Sequence, residues 1–289
     1  MRYLVLFAFS FLLFTCSEKE PAAVNPALEE GGPPPPPEGY HWEIDPAFSD
    51  EFETAKLDAK KWHDRSPYWV NGRPPATFRA SAVSVKDGQL QIRNQPLGEE
   101  DTTYHIAGGA VASVARDAHF GYFSTRMKAS SISMSSTFWM KNKPTPGDCR
   151  QLVQELDIIE VVGKRDRGPD FRNVMHCNTH IFHKDCATGE KLKTKSKGAQ
   201  APIVPAADEA YHIYACWWEN ATTLHFYLDG EEVATVTPLE PFDRDMYMHL
   251  VTETYYWENP PPEEDLLNDA INTTYYDWVR SYKLVANGK

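Results

Sequence analysis

From Tyr40 onward the chain is built of short runs rich in Val, Ile, Tyr, Phe, Trp and Thr, separated by turn residues, and no segment sustains a 3.6-residue apolar period. Such a chain has no amphipathic helices with which to close a core, so it reads as all-β. Strands are expected at 82–85, 89–93, 110–114, 121–128, 136–140, 154–161, 174–182, 212–218, 223–228, 232–236, 248–254 and 276–282. Asp229-Gly230, between two of these, is a two-residue hairpin signal. About a dozen strands fit two antiparallel sheets packed face to face, because one open sheet of that size would leave an apolar face in water. A jelly-roll sandwich is therefore expected. Two long connections are expected beside it: 183–211, which is Lys-rich, and 255–275, which carries Pro260-Pro261-Pro262.

The 289 residues carry 41 acidic and 29 basic side chains, a formal charge of −12, which argues against a phosphate-binding surface and against nucleic acid as a partner. No apolar run reaches the roughly 20 residues of a membrane-spanning helix. At the start, Arg2 precedes twelve uncharged, mostly apolar residues, a length that suits an export signal. That run ends at Leu13-Phe14-Thr15-Cys16-Ser17, which resembles a loose bacterial lipoprotein box with Cys16 as the acylated residue. Residues 1–16 are read as the signal, and the protein as an outer-membrane or cell-surface lipoprotein; a plain secretory signal is the alternative. Residues 17–39 hold seven prolines in 23 residues and read as a semi-extended tether, leaving 40–289 as the folded domain. The membrane is then met only through a lipid.

Cys149, Cys177, Cys186 and Cys216 remain. In an oxidising compartment they allow one or two disulfides, with Cys177–Cys186 the first choice and Cys216 read as a buried thiol.

The stretch Gln154-Glu155-Leu156-Asp157-Ile158-Ile159-Glu160-Val161 sets up a conflict. In a regular strand Glu155 and Asp157 share a face, whereas Glu160 would point into the core. An unpaired carboxylate buried there would cost about 3 kcal/mol or more. A one-residue bulge at Ile158-Ile159 returns Glu160 to the face of the other two, and bulges concentrate beside active sites. Three carboxylates in a row cannot all ionise freely. One is expected to stay protonated near neutral pH as a general acid while another remains anionic as a nucleophile, the arrangement of a retaining glycosidase, with roughly 5–5.5 Å between the working groups.

At this point the sequence resembles glycoside hydrolase family 16, whose bulged signature is Glu-x-Asp-x-x-Glu. Further matches are Ser49-Asp50-Glu51-Phe52, Gly88-Gln89-Leu90, Gly121-Tyr122-Phe123, Ser136-Thr137-Phe138-Trp139-Met140, Phe226-Tyr227-Leu228-Asp229-Gly230 and Tyr276-Asp277-Trp278-Val279. Trp69, the Ser-Met-Ser-Ser-Thr before Phe138, and Met175-His176-Cys177-Asn178-Thr179-His180 look most similar to β-agarases and β-porphyranases. The resemblance implies a concanavalin-like jelly roll with an open concave cleft and retaining hydrolysis of β-1,4 links in a red-algal galactan. Glu155 is implied as nucleophile, Asp157 as its helper and Glu160 as acid/base.

Trp139, Trp69 and Trp257 are candidates to stack on sugar rings. Trp217 and Trp218 are adjacent, so at least one is structural. His180, Glu253, Arg172, Arg65 and His176 are candidate polar contacts. No catalytic cofactor is expected. The resemblance also implies a structural calcium held by backbone oxygens near the early strands and a carboxylate near the last one, with Glu51, Gly88 and Asp277 at the matching positions. An endo-acting β-agarase is the first reading, since net acidity favours a neutral polymer, and a monomer is expected; β-porphyranase, then κ-carrageenan or furcellaran hydrolysis, follow. A non-catalytic surface lectin is the reading from another class. Ser124 replaces an acid that many relatives carry, and Lys184, Lys191, Lys193, Lys195 and Lys197 are expected either to rim a cleft for an anionic polysaccharide or to form a solvated flap.

Overall fold

The computed structural model describes residues 31–98, 103–143, 150–165, 167–185 and 187–288. The expected signal peptide with Cys16, most of the expected tether, and Cys149 and Cys186 lie outside the described residues. The strands are β1 (Tyr40–Ile44), β2 (Trp62–His63), β3 (Ala76–Phe78), β4 (Val83–Lys86), β5 (Gln89–Arg93), β6 (Gln95–Pro96), β7 (Ile106–Ser113), β8 (Gly121–Lys128) and β9 (Ser135–Lys141). They continue as β10 (Arg150–Val162), β11 (Val174–Asp185), β12 (Lys191–Pro202), β13 (His212–Asn220), β14 (Thr223–Leu228), β15 (Glu231–Val236), β16 (Tyr247–Thr252) and β17 (Thr273–Ala286).

Two sheets form. One runs β15-β14-β13-β8-β17-β5-β4 with β1 on β17, and the other runs β12-β11-β10-β9-β16-β7-β2 with β3 and β6 on β7. The expected two-sheet jelly roll is the fold found. Its interior is filled by the inward alternates of both sheets: Phe138, Met140, Leu156, Ile158, Ile159 and Val161 from one, and Phe123, Met127, Tyr214, Cys216, Trp218 and Phe226 from the other. Each such Leu, Ile or Phe contributes about 1.5–3 kcal/mol through loss of apolar surface from water. Trp218 is wholly buried, whereas Trp217 lies on the outer face against Trp42 and His225. The β14–β15 hairpin turns on Asp229 and Gly230, both at positive φ (51° and 86°), the geometry that the Asp-Gly pair predicts.

Three expectations change. Residues 183–211 are not a long connection: β11 continues to Asp185 and β12 occupies Lys191–Pro202 at the sheet edge. An edge strand needs no apolar alternation, and lysines along it discourage pairing with other chains, so its composition mimics a loop. Second, the Cys177–Cys186 pairing is not formed. Cys177 is a buried free thiol whose Sγ donates to Ala199 O at 3.4 Å, and Cys216 is likewise free and buried. Third, the end of the expected tether is part of the fold. Gly31, Gly32 and Pro33 are buried, Trp42 Nε1 donates to Pro34 O at 2.8 Å, and Ser124 Oγ donates to Gly31 O at 3.1 Å. Ser124 therefore seats this strap on β8, away from the cleft.

Candidate active site

Along β10 the register slips by one residue. Against β11, Asp157 pairs with Asn178 and Glu160 with His176; against β9, Asp157 pairs with Trp139 and Ile159 with Phe138. Ile158 is the extra residue. It enters the core with Ile159, and Glu160 returns to the face carrying Glu155 and Asp157. All three carboxylates line one open cleft of about 390 Å³ on the outer face of the β12-to-β2 sheet.

Each carboxylate has its own partner. Glu155 Oε2 accepts from Lys141 Nζ at 2.6 Å, Asp157 Oδ2 lies 3.0 Å from His180 Nε2, and Glu160 Oε1 accepts from the Tyr255 hydroxyl at 2.8 Å. Burial pushes all three carboxyls up, but the outcomes diverge. At Glu155 the ammonium and hydrogen bond of Lys141, with His180 and Arg73, outweigh burial and hold the carboxyl below its ordinary range. At Asp157 burial prevails over the His180 hydrogen bond and the group is raised. Glu160 is pushed up to about 8 by burial and by the neighbouring Asp157 charge, with Tyr255 pulling the other way. The site thus holds one anionic and one protonated carboxyl at neutral pH, the division of labour that double displacement at an acetal carbon requires.

The candidates from the sequence sort clearly. Trp139 forms part of the cleft floor, its ring 4.2 Å from that of His249 and 6.0 Å from that of Trp69, which also lines the cleft. Glu253 lines it too, in an ion pair with Arg73, and burial pushes its carboxyl up to about 8. His180 serves Asp157 and is held from behind by Ser196 Oγ at 2.6 Å from Nδ1. Glu155, Asp157 and His180 lie close enough to share a cation, but the Lys141 ammonium already sits on Glu155.

The other candidates are elsewhere. Trp257 stacks on Tyr255 with centroids 4.6 Å apart, so it supports the phenol that meets Glu160 and does not line the central cleft. Arg172 is directed away, bound to Asp208 at 2.8 Å and Glu209 at 2.8 Å. Arg65 donates to Val70 O at 3.1 Å, beside Trp69. His176 lies parallel to Phe171 at 3.6 Å and borders a shallow pocket next to Glu160. At the expected calcium positions Asp277, the one implied carboxylate ligand, is taken by Arg126 at 2.6 Å and Gln89 at 3.0 Å, and Glu51, implied as a ligand only through its backbone oxygen, has its side chain gripped by Arg280 at 2.7 and 2.9 Å. Gly88 is a turn residue with φ +73°.

Among the charged and hydrogen-bonding cleft residues that the sequence did not single out are Lys141, Tyr255 and Arg73. For the first two a signal existed, since Lys141 follows Trp139 by two and Tyr255 follows Glu253 by two, the spacing of one strand face. Arg73, from a loop, left none; Lys184, expected at a cleft rim or in a flap, lines the cleft from the end of β11.

The comparisons agree with this geometry. The family model "Beta-porphyranase A-D, GH16 domain" matches residues 42–284. A protein named β-porphyranase E from Zobellia galactanivorans is 60% identical over 254 residues, covering 86% of this chain and 90% of that one. A protein named β-agarase from Phocaeicola plebeius is 27% identical over 281 residues, covering 86% and 87%. The crystal structure of a β-porphyranase from the human gut bacterium Bacteroides plebeius superposes with a TM-score of 0.81 at 44% identity, covering 88% of this chain and 96% of that one. With the bulged carboxylate strand, the two-sheet framework and these similarities in agreement, the chain belongs to glycoside hydrolase family 16.

Proposed function

We propose that this enzyme is a retaining, endo-acting β-porphyranase that hydrolyses β-1,4 links in a sulfated red-algal galactan. The observation that carries the choice of polymer is the 60% identity to a β-porphyranase across most of the domain, against 27% to a β-agarase. This reverses the order that net charge suggested. A sum of −12 over the chain hides the three cations, Arg73, Lys141 and Lys184, that line the cleft itself.

In this reading Glu160, protonated at neutral pH, donates its proton to the glycosidic oxygen while Glu155 attacks the anomeric carbon and the sugar–oxygen bond breaks. The departing sugar leaves as an alcohol and Glu155 becomes a glycosyl ester. Glu160, now anionic, removes a proton from water, whose oxygen attacks the same carbon and releases Glu155 with net retention. Asp157, steadied by His180, adjoins the nucleophile and adds the negative charge that keeps the Glu160 proton in place between cycles. Trp139 and Trp69 offer apolar faces to the sugar rings.

The test is product release from porphyran and agarose by the full chain, with Glu155→Gln beside it. Porphyran cleavage that exceeds agarose cleavage and vanishes in the variant supports the reading, whereas preference for agarose overturns the polymer and unchanged turnover in Glu155→Gln overturns the mechanism. A lectin would bind either polymer without releasing fragments. Lipidation at Cys16 belongs to the same proposal, since a polymer too large to import must be met outside the cell; labelling with a radioactive fatty acid that is lost in Cys16→Ala is its check.

A further inference from the structure

Lysines stand at every second residue of the outer half of β12: Lys191, Lys193, Lys195 and Lys197. In an unbroken ladder all four would share one face. The β11–β12 register slips, however, between His183 and Lys184. His183 pairs with Lys193 while Lys184 pairs with Lys191, which leaves Leu192 as the extra residue. Lys195 therefore lies across from the core residue Ile181, on the inner face, and its Nζ meets Glu240 at 2.5 Å. Lys191 is turned to the opposite face, that of the cleft.

There Lys191 Nζ sits 4.1 Å from the centroid of the Phe182 ring, and Lys141 Nζ sits 5.7 Å from the same ring. Lys184, two residues along β11 from Phe182, lines the cleft. Lys141 is neutralised by Glu155, but among the described residues neither Lys184 nor Lys191 has a carboxylate partner. A bulge that merely protected a sheet edge would have no need to gather like charges, since the edge lysines serve that purpose from either face.

We propose that Lys184 and Lys191, with Phe182 beside them, form a subsite for a sulfate ester of the polymer. This rests on the reading of the enzyme as one that takes a sulfated galactan. Two ammonium groups give a sulfate charge-assisted hydrogen bonds, and the aromatic face covers the C–H face of the sugar that bears it. Burial, with the charges of Lys141 and Lys191, pushes Lys184 below its ordinary range, a strain that a bound anion relieves. The slip in β12 is then to substrate recognition what the slip in β10 is to catalysis.

The experiment compares kcat/KM of the full chain on porphyran and on the same polymer after chemical desulfation, for wild type, Lys184→Gln/Lys191→Gln, Lys184→Arg/Lys191→Arg and Lys193→Gln. Loss of two charge-assisted hydrogen bonds should lower the sulfated-to-desulfated ratio about tenfold in the double Gln variant, through KM. The Arg pair and Lys193→Gln should keep the wild-type ratio. An equal loss on both polymers, or an unchanged ratio, overturns the subsite while leaving the porphyranase reading intact. A wild-type ratio below one overturns both. Thermal unfolding of each variant shows that the fold is retained.

Discussion

Lys141 Nζ lies 2.6 Å from Glu155 Oε2, the two residues facing each other across the β9–β10 ladder. This contact keeps a buried carboxylate charged, and it is the physical origin of the asymmetry between Glu155 and Glu160.

Removing that ammonium leaves burial less opposed at Glu155. In Lys141→Met the Glu155 pKa rises, so the acidic limb of kcat/KM moves to higher pH and the rate at pH 6 falls about tenfold or more. Lys141→Arg restores much of it. A pH–rate series reads both, and an acidic limb that stays in place would mean that Glu155 does not govern it.

Tyr255 donates its hydroxyl proton to Glu160 at 2.8 Å and so favours the ionised form. In Tyr255→Phe the Glu160 pKa rises beyond about 8, and the alkaline limb moves to higher pH. Turnover at pH 7 falls about three- to tenfold, because Glu160 without that hydrogen bond gives up its proton to the glycosidic oxygen less readily. An alkaline limb that drops would give the opposite sign and reject the assignment.

Glu160 also sets a pH dependence of stability. Its folded pKa, about 8, exceeds its ordinary unfolded value of 4.5, so between these values the unfolded chain releases a proton that the folded chain keeps. Stability from this group is full below the unfolded value, falls as pH rises through the window, and levels off above it. Glu160→Gln should abolish hydrolysis yet raise Tm, little at pH 4.5 and most at pH 8. Differential scanning at the two pH values reads the difference; a Tm gain that is larger at pH 4.5 contradicts it.

Arg172 acts outside the cleft. Arg172→Ala should leave kcat/KM within about twofold while lowering stability by about 1 kcal/mol, the cost of a nearly buried Asp208 losing one partner at a solvent-accessible pair. Urea unfolding and initial rates taken on one preparation separate the two effects.

Much of the molecule is written in local pattern. The strand 154–161, its bulge and the common face of Glu155, Asp157 and Glu160 all follow from one constraint: residues two apart share a face, and a carboxylate cannot be left in an apolar core. The two-sheet architecture follows from the lack of helical period, and the Asp229-Gly230 turn from its left-handed backbone. The edge strand β12 escaped because a strand paired on one side alone need not alternate.

Convergence of distant side chains is a different matter. That Arg73 meets Glu253, that Arg172 turns to Asp208, that Arg126 pairs with Asp277 and that Lys191 crosses to the cleft face all depend on the register between strands and on where loops fall. Composition reports only the sum of charges, here −12, whereas a polymer meets the field inside one cleft. Alternation along a strand is a property of adjacent residues and can be read from them; the pairing of one strand with the next is settled by the energy of the whole packed sandwich, and only the folded chain contains it.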